Sequence, residues 1–530
     1  MKSASSEDVS SSSRLLPKTL NPSVQAAKSA SVHALSLITS LFDRIILTGL
    51  LVRFWGTSEF AQWTTIVSFA SMIVIAELGF QQLVGNEITR AAVRGHGRAV
   101  NRILATALPV SLAFGIVSLV AVVGGLFIFD WPTRLGLTSP EMVPALIVLC
   151  ISTAIKIARG PLLQAYRGVG EFFNFLLAEV NATLAAVLAA CAAVFVGADA
   201  IVVACLYLVA ASYFSVWRPF ADIRKRYPQI RFAVRRPSRQ WTIRTASELR
   251  YYGLFYIVSN LIQTGPILII AFLGMTGQAL AIFAIQRTLV NFVKTVSTGL
   301  SNAAGAELSK VSMSGDPDGL ARGLRTLGRL NAALAALATV ALAFYGDVVV
   351  GLWTGEPDLG SFALLATLLV PLIATAPSLA VQQAAVMTGR VRRQSYASAI
   401  YAAIALGGSV LLGSLYGIIG VAIALALGEI VAIGILSPLW ASRELSLPYW
   451  PLVRSAGLVF LAVSAWSAIV AGTLDYLLGD LQLTGDLAAL TGFGLLAALP
   501  VLIATAPAGL RNQVMFRIRA RLQRGGGTAG

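Results

Sequence analysis

Apolar runs of about twenty residues follow one another along this chain, most of them closed by a short loop that carries charge. A run of roughly 18 or more apolar residues crosses the ~30 Å hydrocarbon core of a bilayer as a helix. No water reaches that core, so backbone polar groups must be satisfied inside the segment, and a helix does this locally. A strand barrel alternates lipid-facing and lumen-facing residues and would not give continuous runs. The composition agrees, with 57% hydrophobic and 12% charged residues and a mean hydropathy of +0.78. The expected fold is an all-α integral membrane protein.

About fourteen transmembrane helices are expected, at 30–52, 60–84, 103–129, 142–158, 172–196, 199–218, 251–273, 279–303, 328–353, 361–388, 395–416, 417–439, 455–474 and 487–507. Lys and Arg near span ends mark the cytoplasmic side. Of the 40 basic residues, 35 fall in the two tails, in alternate loops or at the span ends adjoining them. Arg53 and Arg134 lie on the opposite side, and Arg44, Arg287 and Lys294 lie within spans. Acids such as Asp130, Glu141, Asp199, Glu356 and Asp475 take the opposite side. Both termini are therefore expected in the cytoplasm. The net charge of +16 reflects topology and not nucleic-acid binding.

Residues 1–29 are Ser-rich and lack the apolar core of a signal peptide, so they read as a disordered tail, with the first span directing insertion. Cys150, Cys191 and Cys205 sit in apolar segments without a CxxC pair and read as packing residues, implying neither a disulfide framework nor a metal site.

The basic stretch "RPFADIRKRYPQIRFAVRRPSRQWTIRTASELR" divides the chain. The expected organisation is an N-lobe at 30–220, a connector at 221–250, a C-lobe at 251–442, two further helices at 443–508 and a basic tail at 509–530. A repeat supports this division. "GFQQLVGNEITRAAVRG" and "GLSNAAGAELSKVSMSG" match at an offset of 220, pairing Gly79, Gly85, Glu87, Arg90 and Gly95 with Gly299, Gly305, Glu307, Lys310 and Gly315. Six spans per repeat is an even number, so the two lobes share an orientation and relate by a parallel pseudo-two-fold axis.

Arg287, Asn291 and Lys294 are spaced i, i+4, i+7 and share one helix face near mid-span. Each cation costs at least ~2.5–3.5 kcal/mol at the centre of a membrane helix, so the stripe is expected to face a water-filled cavity between the lobes and an anion within it. Pairing with buried acids is the structural alternative. Asp43 and Arg44 lie near the middle of the first span, where Arg44 could join the cationic cavity and Asp43 could bind a coupling ion or pair with an arginine. Glu77 and Glu429 are weaker candidates for coupling or pairing, and Glu429 is deep enough to answer Lys294. Glu179 reads as interfacial. Asn260 and Gln263 precede Pro266 in the seventh span, while Pro371 and Pro377 interrupt the tenth; such prolines kink helices. Gly413 and Gly417 form a GxxxG that falls at an outer turn.

No GxxxxGK[ST] phosphate loop is present, the two histidines (His33 and His96) lie at span edges, and the outer loops are short. An enzyme is not expected. The basic "RNQVMFRIRARLQR" near the C-terminus suits anionic membrane lipids, with docking of polysaccharide polymerase machinery as a second reading.

Over about residues 30 to 507, "ELGFQQLVGNEITRAA" and its echo "GLSNAAGAELSK" resemble the polysaccharide-transport branch of the multidrug/oligosaccharidyl-lipid/polysaccharide exporter superfamily. The resemblance implies two six-helix lobes, with Arg44, Arg287 and Lys294 as contacts for a diphosphate or acidic sugar. It further implies a flippase for an undecaprenyl-diphosphate-linked oligosaccharide in the bacterial inner membrane, serving exopolysaccharide or O-antigen assembly. No cofactor is implied beyond a coupling H+ or Na+. A multidrug/cation antiporter and a lipid II flippase are the alternatives. The antiporters usually have twelve spans and cavity carboxylates, and the arginine-rich first span of the lipid II flippases is not evident here.

The topology is directly testable. A fluorescent-protein fusion at the C-terminus should glow and an alkaline-phosphatase fusion there should be inactive; the reverse pattern would invert the orientation.

Overall fold

The computed structural model describes residues 42–77, 79–313, 316–387, 391–478 and 491–497, together with Leu35, Thr39, Ala488 and Ala489. The tails expected at 1–29 and 509–530, His33, and most of the span expected at 487–507 lie outside the described residues. Every regular element among the described residues is helical, and ten helices are long and apolar enough to cross a membrane.

Two of those ten are interrupted by glycine. Within Asp43–Glu77, Gly56 takes φ 80° and ψ 175°; within Arg392–Glu444, Gly417 takes φ 63° and ψ −145°. Side chains disfavour such backbone, whereas glycine adopts it without steric cost. Both breaks fall where turns between spans are expected, so each long element changes direction at a glycine.

The stretch expected as a connector begins the next helix instead. Ser238 accepts a hydrogen bond at Oγ from the Trp241 amide (3.2 Å), capping a helix that runs Arg239–Phe272. A serine at this position satisfies one of the unpaired amides of the first turn. The segment before it is tied down as well. Asn101 donates to the Gln229 carbonyl (2.8 Å) and accepts from the Arg231 amide (3.1 Å), and Ile223 and Ile230 are buried beside Phe80, Leu104 and Tyr166.

The chain forms two compact units. The first comprises Met1–Phe292, Val350–Leu359 and Ser395–Gly428. Its core gathers Phe80, Leu83, Ile88, Leu163 and Ile223. The second comprises Val293–Val349, Gly360–Gln394 and Glu429–Gly530. There Leu320, Leu324, Val381, Ala384 and Leu445 form one cluster, while Val340, Tyr345, Val470 and Phe493 form another. Tyr345 donates to the Ala471 carbonyl (3.3 Å), so the helix Tyr449–Leu478 is packed into this second unit.

The repeated motif is not used identically. At Gly79 the backbone turns left-handed (φ 72°) between a 3-10 segment, Met72–Glu77, and the helix Phe80–Val93. Its counterpart Gly299 lies inside the uninterrupted helix Gln278–Met313. The same glycine spacing permits a break without imposing one.

A Cβ at Gly56 would meet nothing within 4 Å, so Gly56→Ala isolates backbone strain. It is expected to destabilise the purified protein by about 1–3 kcal/mol, read as a lowered midpoint in detergent unfolding; an unchanged midpoint would refute the glycine break.

Candidate functional site

The first unit holds a half-open cavity of about 240 Å³ whose lining, largely apolar, includes Asp43, Lys156, Arg159, Glu179 and Tyr207. Asp43 opens a π-helical turn, Asp43–Leu47; such wide turns often mark functional sites. The turn is fixed from outside: the Trp353 indole donates to the Ile45 carbonyl (2.6 Å) and packs on Gly49, where a Cβ would lie 2.8 Å from the ring. Lys156 and Arg159 come from the end of the helix Met142–Ala158, three residues apart and hence on one face.

Arg159 makes a two-pronged bond to Glu179, with Nη1 to Oε1 at 2.7 Å and Nη2 to Oε2 at 3.0 Å. The Arg159 side chain is only 6% exposed. Glu179, itself 35% exposed, thus answers a buried arginine, and removing Glu179 would leave the Arg159 charge buried and unpaired. Neither Lys156 nor Arg159 is among the sequence-expected site residues, because both fall at the basic end of the span 142–158, where cations read as topology signals. The paired spacing of Lys156 and Arg159 at the end of an apolar run, with Glu179 within the next span, was the available signal.

Glu77 has a local role. Gly79 offers no side chain to cap the following helix, and Glu77 supplies the acceptors: Oε1 takes the Gln81 amide (3.1 Å) and Oε2 the Gln81 side-chain amide (3.0 Å). Arg44, next to Asp43, is exposed and makes no hydrogen bond or ion pair among the described residues.

Arg287, also in the first unit, answers a proline. Pro266 has no N–H, and its ring crowds the preceding turn, so the Ile262 carbonyl loses its helical partner. Arg287 donates Nη2 to that carbonyl (2.6 Å) and Nη1 to the adjacent Gln263 carbonyl (2.8 Å). Its guanidinium lies 5.9 Å from the centre of the Phe283 ring. One turn earlier, Asn260 donates to the Ser71 carbonyl (2.9 Å), anchoring the same helix. Asn291, on the Arg287 face, is half-buried.

In the second unit Lys294 donates to Glu429 Oε2 at 2.6 Å. The side chains are 30% and 10% exposed. Glu429 opens another π-helical stretch, Glu429–Leu436. The acid that the sequence offered as a partner for Lys294 is thus the one beside it. Gln382 donates to the Ile433 carbonyl in that stretch.

No family model matches this sequence, and no curated protein is similar to it. The likeness lies in the fold. An inward-facing multidrug resistance MATE family transporter of the MOP superfamily aligns over 79% of this chain and 98% of its own, with TM-score 0.63 and 16% identity. The lipid II flippase MurJ, in an inward closed conformation, aligns over 89% and 98%, with TM-score 0.64 and 14% identity. A MOP superfamily transporter from Pyrococcus furiosus, described by the reverse polarity of its binding pocket, aligns over 79% and 95%, with TM-score 0.51 and 14% identity. The chain therefore has the fold shared by these all-helical membrane proteins.

Two stability measurements follow from this geometry. Arg287→Gln should cost about 1–3 kcal/mol by leaving the half-buried Ile262 carbonyl without a donor. The cost should shrink by about 1 kcal/mol in a Pro266→Ala background, where the restored N–H serves Ile262; strictly additive changes would exclude the proline contact. Lys294→Gln should cost about 3–5 kcal/mol because Glu429 is left buried and alone. Glu429→Gln added to it should recover part of that loss in a thermal unfolding assay.

Proposed function

We propose that this chain is a flippase that carries an undecaprenyl-diphosphate-linked oligosaccharide from the cytoplasmic to the outer face of the bacterial inner membrane by alternating access. The product would feed exopolysaccharide or O-antigen assembly. The observation that carries this reading is the pair of mid-membrane cations, Arg287 and Lys294, on one helix of a MATE- and MurJ-like fold. Cations at that depth are costly, and functional sites are where membrane proteins keep them.

On this reading Arg44, Arg287, Asn291 and Lys294 contact the diphosphate or acidic sugars. Arg287 is well suited, since a guanidinium oriented by two carbonyls presents a fixed plane to phosphate. Glu429 is a candidate for coupling, since it holds Lys294 in an ion pair that an incoming anion would compete with. Asp43 is a second candidate for the coupling ion, H+ or Na+, while Glu77 is better suited to capping than to coupling. The basic tail remains a candidate for anionic lipids or polymerase machinery. No enzymatic step is invoked.

A multidrug/cation antiporter is the second reading, favoured by the first unit's cavity, where Asp43 and Glu179 could attract a cation. Lys156 and Arg159 in the same lining weaken it. A lipid II flippase shares the fold and the chemistry of a diphosphate head group.

The test is flipping of a fluorescent polyprenyl-diphosphate oligosaccharide in proteoliposomes. Wild type should flip it, and Arg287→Lys or Lys294→Gln/Glu429→Gln, each checked for monodisperse elution, should lose at least about tenfold in rate (a ~1.4 kcal/mol effect). Equal rates would make both cations purely structural. Drug resistance abolished by Arg287→Ala with polysaccharide export intact would instead favour the antiporter.

A further inference from the structure

A groove of about 570 Å³ runs along the second unit between the helices Pro317–Thr354 and Tyr449–Leu478. One end carries Arg329, Arg454 and Trp450; the rest is walled by Leu458, Val459 and Ala462, and no acidic residue lines it among the described residues. Arg329 Nε is buried with no hydrogen-bond partner among the described residues. The Arg329 side chain as a whole is only half-buried and makes no ion pair among the described residues, so its charge is left for an anion in the groove. Arg454 is exposed and makes no ion pair among the described residues, and Trp450 is 74% exposed.

The arrangement has the polarity of a lipid. Tryptophan sits by preference at head-group level, and arginine binds phosphate through its fork of donors. Trp450 and Ala462 are separated by a helical rise of about 18 Å. That depth matches one leaflet of a hydrocarbon core ~30 Å thick, which suits an acyl chain rather than a much longer polyprenyl chain.

We propose that this groove is a binding site for an anionic phospholipid of the leaflet on the basic face, its phosphate on Arg329 and Arg454 and one acyl chain along Leu458, Val459 and Ala462. The site is separate from the mid-membrane cations and does not depend on which substrate the protein moves.

The test is native mass spectrometry of the full-length, detergent-purified protein with phosphatidylglycerol or phosphatidylcholine. Wild type should retain phosphatidylglycerol at least fivefold better than phosphatidylcholine. Arg329→Gln/Arg454→Gln should abolish that preference, and Arg329→Lys/Arg454→Lys should keep at least half of it. Each variant is checked for monodisperse elution; if the double glutamine variant fails that check, Arg454→Gln alone, at an exposed position, should reduce the preference at least twofold. An undiminished preference in the glutamine variants would overturn the proposal. So would displacement of phosphatidylglycerol by equimolar polyprenyl phosphate, which would make the groove a carrier-lipid site. Complete displacement by millimolar inorganic phosphate would also overturn it, by removing the acyl chain's role; retention in its presence supports the lipid.

Discussion

A peptide carbonyl in hydrocarbon has nowhere to turn once its helical partner is gone, and that constraint organises the buried charges of this protein. Pro266 breaks the ladder of the helix Arg239–Phe272, and Arg287 repairs it by donating to the Ile262 and Gln263 carbonyls. A cation that looks out of place in a membrane span is thus also a structural part, held in a fixed plane by the kink it serves. Glu77 solves a related problem at the start of Phe80–Val93, where Gly79 brings the turn but no cap. Lys294 and Glu429 answer each other, so neither is buried alone.

Much of the fold was legible in the sequence because lipid imposes a simple rule. Apolar runs longer than a bilayer is thick announce helices, and Gly56 and Gly417 fall at turns that the runs themselves delimit. The failures have physical causes. The helix at Arg239 was hidden because its first turns are polar and basic, and Ser238 was the cue that outweighs such composition. The matched glycines of the two motifs gave no sign of the break at Gly79, since a glycine permits φ 72° without requiring it and Gly299 stays helical.

The candidate site was legible in part. Helical spacing picked out Arg287 and Lys294 and offered Glu429 as the answer to Lys294, but no spacing rule could reveal that Arg287 bonds a carbonyl orphaned 25 residues earlier. The cavity with Asp43, Lys156, Arg159 and Glu179 went unread because a basic residue just past an apolar run looks like an ordinary topology signal. Burial of Arg159 against Glu179 distinguishes it from the solvated cations that share its sequence position.

The proposed function joins these charges to the fold: an oriented arginine for a diphosphate, and a lysine whose carboxylate partner could release it. The most direct measurement is photo-crosslinking from a diazirine side chain at position 291, between the two cations, to a radiolabelled polyprenyl-diphosphate oligosaccharide in intact membranes. The account predicts a crosslink at 291 that unlabelled substrate competes away, and none from the same group at the exposed apolar position 411. Equal labelling at both positions, or labelling at 411 alone, would contradict it.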